Sequence, residues 1–207
     1  MPRQIIPGFP HHVTQRGSRR QTVFFSDADY ATYLEILAEE MAAQQVRVWA
    51  YCLMPNHVHL VVAPPSAEAL AVAMREAQGT YARHVNRAHG WTGHLWHARY
   101  FACAMDERHA IAATRYVLQN PVRAQLVAAP EAWRFSSVRD LLGQERDPVV
   151  TREPLRGLVS EWTTLLHAVP EPREVGAIRH HVSRGKPMGT VAPIVQSDEG
   201  KSPAEAA

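Results

Sequence analysis

The order of hydrophobic and polar positions predicts a mixed fold of strands and helices. Apolar runs over residues 47–54 and 57–63 flank a Pro-Asn dipeptide, which predicts two neighbouring strands joined by a short turn. Over residues 27–45, apolar and aromatic side chains recur every three or four positions, as they do along one face of a helix. This part of the chain therefore predicts a helix followed by a strand pair.

The same two periods predict the remaining elements of the domain. They are a first strand over 11–17 that ends in a Gly-Ser-Arg-Arg turn, a helix over 67–88, a fourth strand over 95–104, and a helix from Asp106 or Glu107 to Asn120. The order β-α-β-β-α-β-α indicates a ferredoxin-like α+β fold, an antiparallel sheet with helices on one face.

The pattern changes after Pro148, where only short helical stretches are predicted. We expect one α+β domain over 1–145 and a short, mostly helical C-terminal extension over 146–190. Residues 191–207 are small and polar, and we expect them to be disordered.

Composition places the chain among globular proteins. It has 207 residues, of which 46% are hydrophobic and 20% charged. No apolar run approaches the roughly 20 residues of a membrane helix, and the first residues lack the apolar core of a signal peptide. Cys52 and Cys103 lie in apolar runs and predict buried thiols in a reducing compartment. We therefore expect a cytoplasmic protein without a membrane partner.

The net charge of +2 is too small to indicate a nucleic-acid partner by itself. Its distribution is more informative, because arginines are concentrated in the first 26 residues and again around residues 75–108. A basic face that binds phosphate and an ordinary solvated surface both explain this distribution.

A His-Val-His triplet on the second strand of the predicted pair is a candidate metal site. His57 and His59 point to one face of the strand, and their Cα atoms lie roughly 7 Å apart, within reach of one ion. The triplet by itself is equally well explained by two polar groups on a solvated sheet face.

Tyr116 and Asn120 are candidates for chemistry on the helix that ends at Asn120. They are four residues apart and so share a helix face. Tyrosine can act as a covalent nucleophile, and an amide oxygen is a ligand for Mg²⁺ or Mn²⁺. A buried structural tyrosine and an asparagine that ends a helix explain the spacing equally well.

Four sequence blocks occur in order within residues 5–143. They are Tyr51–Leu60, Thr92–Phe101, Arg115–Ala124 and Trp133–Ser137. Together they resemble the REP-associated tyrosine transposases, which are single-tyrosine HUH transposases of the small insertion-sequence type. The resemblance implies a ferredoxin-like domain that cleaves and rejoins single-stranded DNA beside a hairpin.

The resemblance also implies a role for each site residue. His57 and His59 match the metal pair, and Tyr116 matches the nucleophile that forms a 5′-phosphotyrosine and frees a 3′-hydroxyl. The third ligand of Mg²⁺ or Mn²⁺ falls on Asn120, with Gln119 as the second choice.

With that resemblance, the arginines become candidates for DNA contact, since a basic groove with aromatic side chains suits unpaired DNA. Tyr81, Trp96 and Tyr100 lie beside these arginines in the sequence and are candidates for stacking on unpaired bases. For Trp96, as for Phe101, a place in the hydrophobic core is the alternative. The candidate DNA-binding residues are Arg16, Arg19, Arg20, Arg83, Arg87 and Arg99.

Three functions are compatible with these residues. The first is a metal-dependent DNA strand transferase that uses Tyr116. The second is a non-catalytic regulator, derived from a transposase, that binds hairpin DNA. The third is a nuclease that uses water. A monomer and a homodimer both remain open.

Overall fold

A computed structural model describes residues 4–151, 155–168 and 172–191. The predicted order of strands and helices is confirmed within these residues. The elements are β1 (His11–Arg16), α1 (Asp27–Ala43), β2 (Arg47–Met54), β3 (His57–Ala63), α2 (Ala67–His89), β4 (Phe101–Ala104), α3 (Glu107–Leu118), α4 (Asn120–Arg123), α5 (Val138–Leu141), α6 (Leu155–Leu158), α7 (Trp162–His167) and α8 (Pro172–Arg184).

The four strands form one antiparallel sheet in the order β2-β3-β1-β4. The first strand therefore lies between β3 and β4, two strands that come much later in the sequence. Its register places Thr14 opposite His59 and Arg16 opposite His57. This pairing brings the basic end of β1 next to the histidine pair.

Helices α1 and α2 cover one face of the sheet. Alternate residues of β3, namely Val58, Leu60 and Val62, point into this layer and are buried there. Ser26 caps α1 in a reciprocal capping box with Asp29, which explains why the helix begins directly after the serine. The predicted α+β sheet and its helix layer are thus confirmed.

The opposite face is covered as well, which the expectation of helices on one face did not include. Cys52, Met54 and Val61 face α3 there and are buried with it. The physical reason is visible in β2 and β3, whose apolar runs are almost continuous, as in strands that are buried on both faces. Both cysteines are free and buried, as predicted.

The fourth strand is shorter than predicted. It covers only Phe101–Ala104, and Trp96 pairs with Gly17 through an isolated bridge. Ala98 has a φ of 55°, a left-handed conformation that interrupts an extended strand. The prediction that Arg99 and Tyr100 lie on a strand was therefore wrong.

The described part of the C-terminal extension contains α6, α7 and α8 as well as non-helical residues, and it packs against α3. Leu155, Trp162 and Ile178 are buried in the same core as α3. The expected disordered tail lies outside the described residues, apart from residue 191. No helix in the described ranges is long and apolar enough to cross a membrane.

Candidate active site

The two histidines of β3 point to the same face, as their spacing predicts. Their ring centroids are 4.8 Å apart and the rings are nearly perpendicular. Val58 between them points into the opposite core. The alternation of a strand thus separates a structural residue from two functional candidates.

A neighbouring amide fixes the tautomer of His57. Its Nδ1 lies 2.6 Å from Oδ1 of Asn56, and because this oxygen can only accept, Nδ1 carries the hydrogen. In the neutral ring the lone pair is then on Nε2. A histidine held in one tautomer by a hydrogen bond is typical of metal ligands.

His12 on β1 is a site residue that the sequence analysis missed. Its Nε2 lies 2.9 Å from Nδ1 of His59 in a buried hydrogen bond. If Nδ1 of His59 donates, its Nε2 keeps a lone pair for a ligand. A period-two pattern on β1, with His12, Thr14 and Arg16 on one face, is the signal that could have identified it.

All three imidazoles are neutral at pH 7. Burial lowers the pKa of His57 to about 4, with Arg16 adding to the effect, and it lowers the pKa of His12 to about 3. Burial also lowers the pKa of His59 well below 6.5, assisted by the neighbouring His12 and His57. A neutral ring is the form that binds a metal ion.

Tyr116, on α3, lies next to the histidines of β1 and β3. Its ring centroid is 6.0 Å from that of His59 and 6.0 Å from that of His12. Its ring lines the same cavity as both histidines, although the residue is only 8% exposed. The structure thus brings together the predicted nucleophile and the predicted metal pair.

The C-terminal extension fixes α3 on both sides of the tyrosine. Arg115 donates to the carbonyl of Ala168, and Nε2 of Gln119 donates to the carbonyls of Leu166 and Ala168. Gln119 is therefore buried toward the extension. This placement favours Asn120 over Gln119 as the amide that faces the histidines.

Asn120 is the first residue of α4 rather than the last residue of α3. It nevertheless lines the cavity with the histidines and Tyr116. Its Oδ1 accepts from Nη2 of Arg123 at 2.5 Å. Its Nδ2 is buried and has no hydrogen-bond partner in the part of the chain that is described.

Arg123 is the second site residue that the sequence analysis missed. Its guanidinium carbon lies 4.0 Å from the centroid of the Tyr116 ring, in a cation–π contact. Its charge also contributes to the lowered pKa of His12 and of His59. The turn from α3 into α4 places it there, and that turn is not visible in the sequence pattern.

These residues line an open cavity of about 760 Å³, and none of the described residues in its lining is acidic. Phe101, which we expected in the core, is 47% exposed and borders this cavity. The reason is that it pairs with Thr14 and so faces the side of the histidines. The arginines of the lining are Arg16, Arg20, Arg99 and Arg123.

The other predicted DNA-binding arginines lie outside this lining. Arg19 is exposed on the turn between Arg16 and Arg20, whereas Arg83 and Arg87 are exposed on α2. Tyr81 is fully buried and donates its hydroxyl hydrogen to the carbonyl of Val23. It is therefore not accessible to a base.

The donor set fits one divalent ion. Two neutral imidazoles and an amide oxygen share one cavity. Mg²⁺ and Mn²⁺ prefer carboxylate ligands, but both also accept these donors. In the described residues, no group of three or more histidines, cysteines or carboxylates could hold a metal ion. A third protein ligand to such an ion would have to be of another residue type, and Asn120 lines the same cavity.

Comparisons with known proteins identify the family of the chain. A family model described as transposase, IS200-like, matches residues 8–120. No curated protein matches the chain. A structure of a REP-associated tyrosine transposase bound to a REP hairpin is 18% identical, with a TM-score of 0.59, and covers 73% of this chain and 89% of its own. A candidate transposase from Deinococcus radiodurans R1 is 18% identical, with a TM-score of 0.41, over 71% of this chain and 98% of its own.

Proposed function

The chain belongs to the IS200-like transposase family, and we propose that it cleaves and rejoins single-stranded DNA beside hairpins, with Tyr116 as nucleophile. The proposal includes a divalent ion, Mg²⁺ or Mn²⁺, held by His57, His59 and Asn120. It rests chiefly on one observation, the position of the Tyr116 ring 6.0 Å from that of His59 in a shared cavity.

The residues of the cavity suit phosphoryl transfer. The oxygen of Tyr116 forms a bond to phosphorus while the bond from phosphorus to the 3′-oxygen breaks. The phenol releases its proton to water, and the leaving oxygen takes up a proton to become a 3′-hydroxyl. The product is a 5′-phosphotyrosine, whose attack by a 3′-hydroxyl rejoins the strand. A bound ion supplies polarisation of the phosphoryl oxygen.

The charge of the cavity suits a DNA backbone. Arginines bind phosphate in a manner that is independent of sequence and weakened by salt. Gln15 and Arg99 also border a second cavity of about 500 Å³, which lies along α2 and the loop before β4. The two cavities together offer a path for an unpaired strand. The structural relative that is bound to a REP hairpin supports a hairpin as the partner.

The test is covalent capture of DNA. The full chain is incubated with a labelled single strand that carries a hairpin, in the presence of Mn²⁺, and adducts that resist denaturation are counted. We expect an adduct with the wild type and none with Tyr116→Phe, since the phenol oxygen is the atom that forms the bond. Hairpin binding by Tyr116→Phe is expected to persist.

The control variant is Tyr30→Phe, which removes the hydroxyl of a buried tyrosine on α1 that borders neither of the two cavities. It is expected to form the adduct normally. A strand that is bound but never cut by the wild type would instead indicate the non-catalytic regulator. Cleavage without an adduct, unchanged in Tyr116→Phe, would indicate the nuclease that uses water.

A further inference from the structure

Arg123 contacts both Tyr116 and Asn120. Its guanidinium lies 4.0 Å from the tyrosine ring centroid, and Nη2 donates to Oδ1 of Asn120. The other end of the amide, Nδ2, is buried and has no hydrogen-bond partner among the described residues. The guanidinium is therefore the group that sets which way this amide points.

The oxygen that accepts from Arg123 is the atom that we propose as a metal ligand. The nitrogen of a neutral amide is a hydrogen-bond donor, so a hard cation takes the oxygen. A guanidinium and a divalent ion on one oxygen would be two cations only a few ångströms apart. Their mutual repulsion is strong in a partly enclosed cavity.

We propose that Arg123 and the divalent ion compete for Oδ1 of Asn120, and that the displaced guanidinium binds an oxygen of the phosphate that is cleaved. This inference rests on the proposed function. The cation–π contact keeps the guanidinium beside the phenol after it leaves the amide. Its planar fork matches the geometry of a phosphate, and there it stabilises the charge that develops during transfer.

Arg123 thereby links ion binding to catalysis. With an ion bound to Asn120, the guanidinium would be free of the amide and would complete the phosphate site. The competition predicts opposite effects of one substitution: removal of the charge strengthens ion binding and slows the reaction. A residue that only held the fold together would weaken both.

The first measurement is Mn²⁺ binding by the full chain without DNA, followed by electron paramagnetic resonance. Arg123→Gln keeps a donor for Asn120 but removes the charge, and we expect it to bind Mn²⁺ about 5- to 10-fold more tightly. Arg123→Met is expected to show a gain in the same direction. Arg99→Gln removes an equal charge from the same cavity, but its guanidinium is not the donor to Asn120, and we expect the affinity to change less than about 2-fold.

The second measurement is the rate of adduct formation at saturating Mn²⁺, which we expect to fall at least about 10-fold in Arg123→Gln. Unchanged or weaker Mn²⁺ binding by Arg123→Gln, or an equal gain in Arg99→Gln, overturns the competition. An undiminished adduct rate overturns the role at the phosphate. If instead the wild type binds no Mn²⁺, or His57→Ala binds it equally well, the proposed function itself is wrong.

Discussion

The two faces of the sheet hold different kinds of residue, which alternate along β3. On the face of α1 and α2, Val58 and Leu60 are completely buried in an apolar and aromatic core. On the face of α3, His57 and His59 alternate with them and line an open cavity. One strand thus serves stability with one set of side chains and chemistry with the other.

Both faces hold buried polar side chains, and both leave some of their atoms unpaired. On the side of α1 and α2, Tyr81 and Trp96 donate to carbonyls at 2.7 Å and 3.0 Å, but Oε1 of Gln78 has no hydrogen-bond partner among the described residues. At the cavity, the same is true of Nδ1 of His12 and Nδ2 of Asn120. Unsatisfied polar groups reduce stability on either side. The faces therefore differ in the kind of residue they hold, imidazoles against apolar and aromatic side chains, rather than in how many atoms are unpaired.

The largest effect that separates the faces is expected from two substitutions on the same strand. Leu60→Ala removes a fully buried side chain and is expected to lower the free energy of unfolding by about 2–5 kcal/mol. His57→Ala, at the partly exposed cavity wall, is expected to lower it by less than about 1 kcal/mol and to abolish Mn²⁺ binding. Urea unfolding and Mn²⁺ titration measure both quantities.

These two variants control for each other. Leu60→Ala is expected to bind Mn²⁺ normally at temperatures where it remains folded. Comparable losses of stability in both variants would show that the faces are not divided in this way. Normal Mn²⁺ binding by His57→Ala would exclude this histidine as a ligand.

The sequence was sufficient to predict what lies within a single element. The bounds of β2 and β3 match the predicted ones, because both strands are nearly continuous apolar runs that end at a Pro-Asn turn. The shared direction of His57 and His59 follows from the two-residue period alone. Both conclusions required only local information.

What depended on pairing between distant segments was not predicted. His12 enters the site because β1 lies beside β3, and Arg123 enters it because the chain turns after α3. Phe101 was assigned to the core from its hydrophobicity, but hydrophobicity does not tell which face of the sheet a residue occupies. Long-range register and short turns decide these cases, and neither has a periodic signature in one sequence.

A second effect concerns pH, through the adjacent histidines of β1. His11 and His12 point to opposite faces of the strand, and burial lowers the pKa of His11 to about 4, against the opposing effect of its bond to Phe9. The unfolded chain, with a value near 6.5, binds the proton first as the pH falls. The contribution of His11 to stability is therefore fully present above about pH 6.5 and is lost as the pH falls toward 4. For one such histidine, the free energy of unfolding falls by roughly 2 kcal/mol between pH 7 and pH 5.

Thermal unfolding at pH 7 and pH 5 measures this loss. His11→Gln is expected to show a smaller loss of melting temperature on acidification than the wild type, and to bind Mn²⁺ unchanged at pH 7. The matched variant His12→Gln is expected to reduce the acid loss as well and to weaken Mn²⁺ binding, because it contacts His59. Equal effects of the two variants on Mn²⁺ binding would contradict the separation of the faces.

The smallest effect compares arginines on the two faces. Arg16 lines the cavity, whereas Arg83 is exposed on α2 and donates to Thr80 of its own helix. If the DNA backbone follows the cavity, Arg16→Gln is expected to weaken hairpin binding whatever the DNA sequence. The slope of the logarithm of the binding constant against the logarithm of the salt concentration is expected to become shallower by about 1. Arg83→Gln removes the same charge, and we expect a smaller change in slope. Binding isotherms over a range of NaCl concentrations measure both. An equal change in slope would extend the DNA contact along α2 as far as Arg83, and would contradict a backbone that is confined to the two cavities.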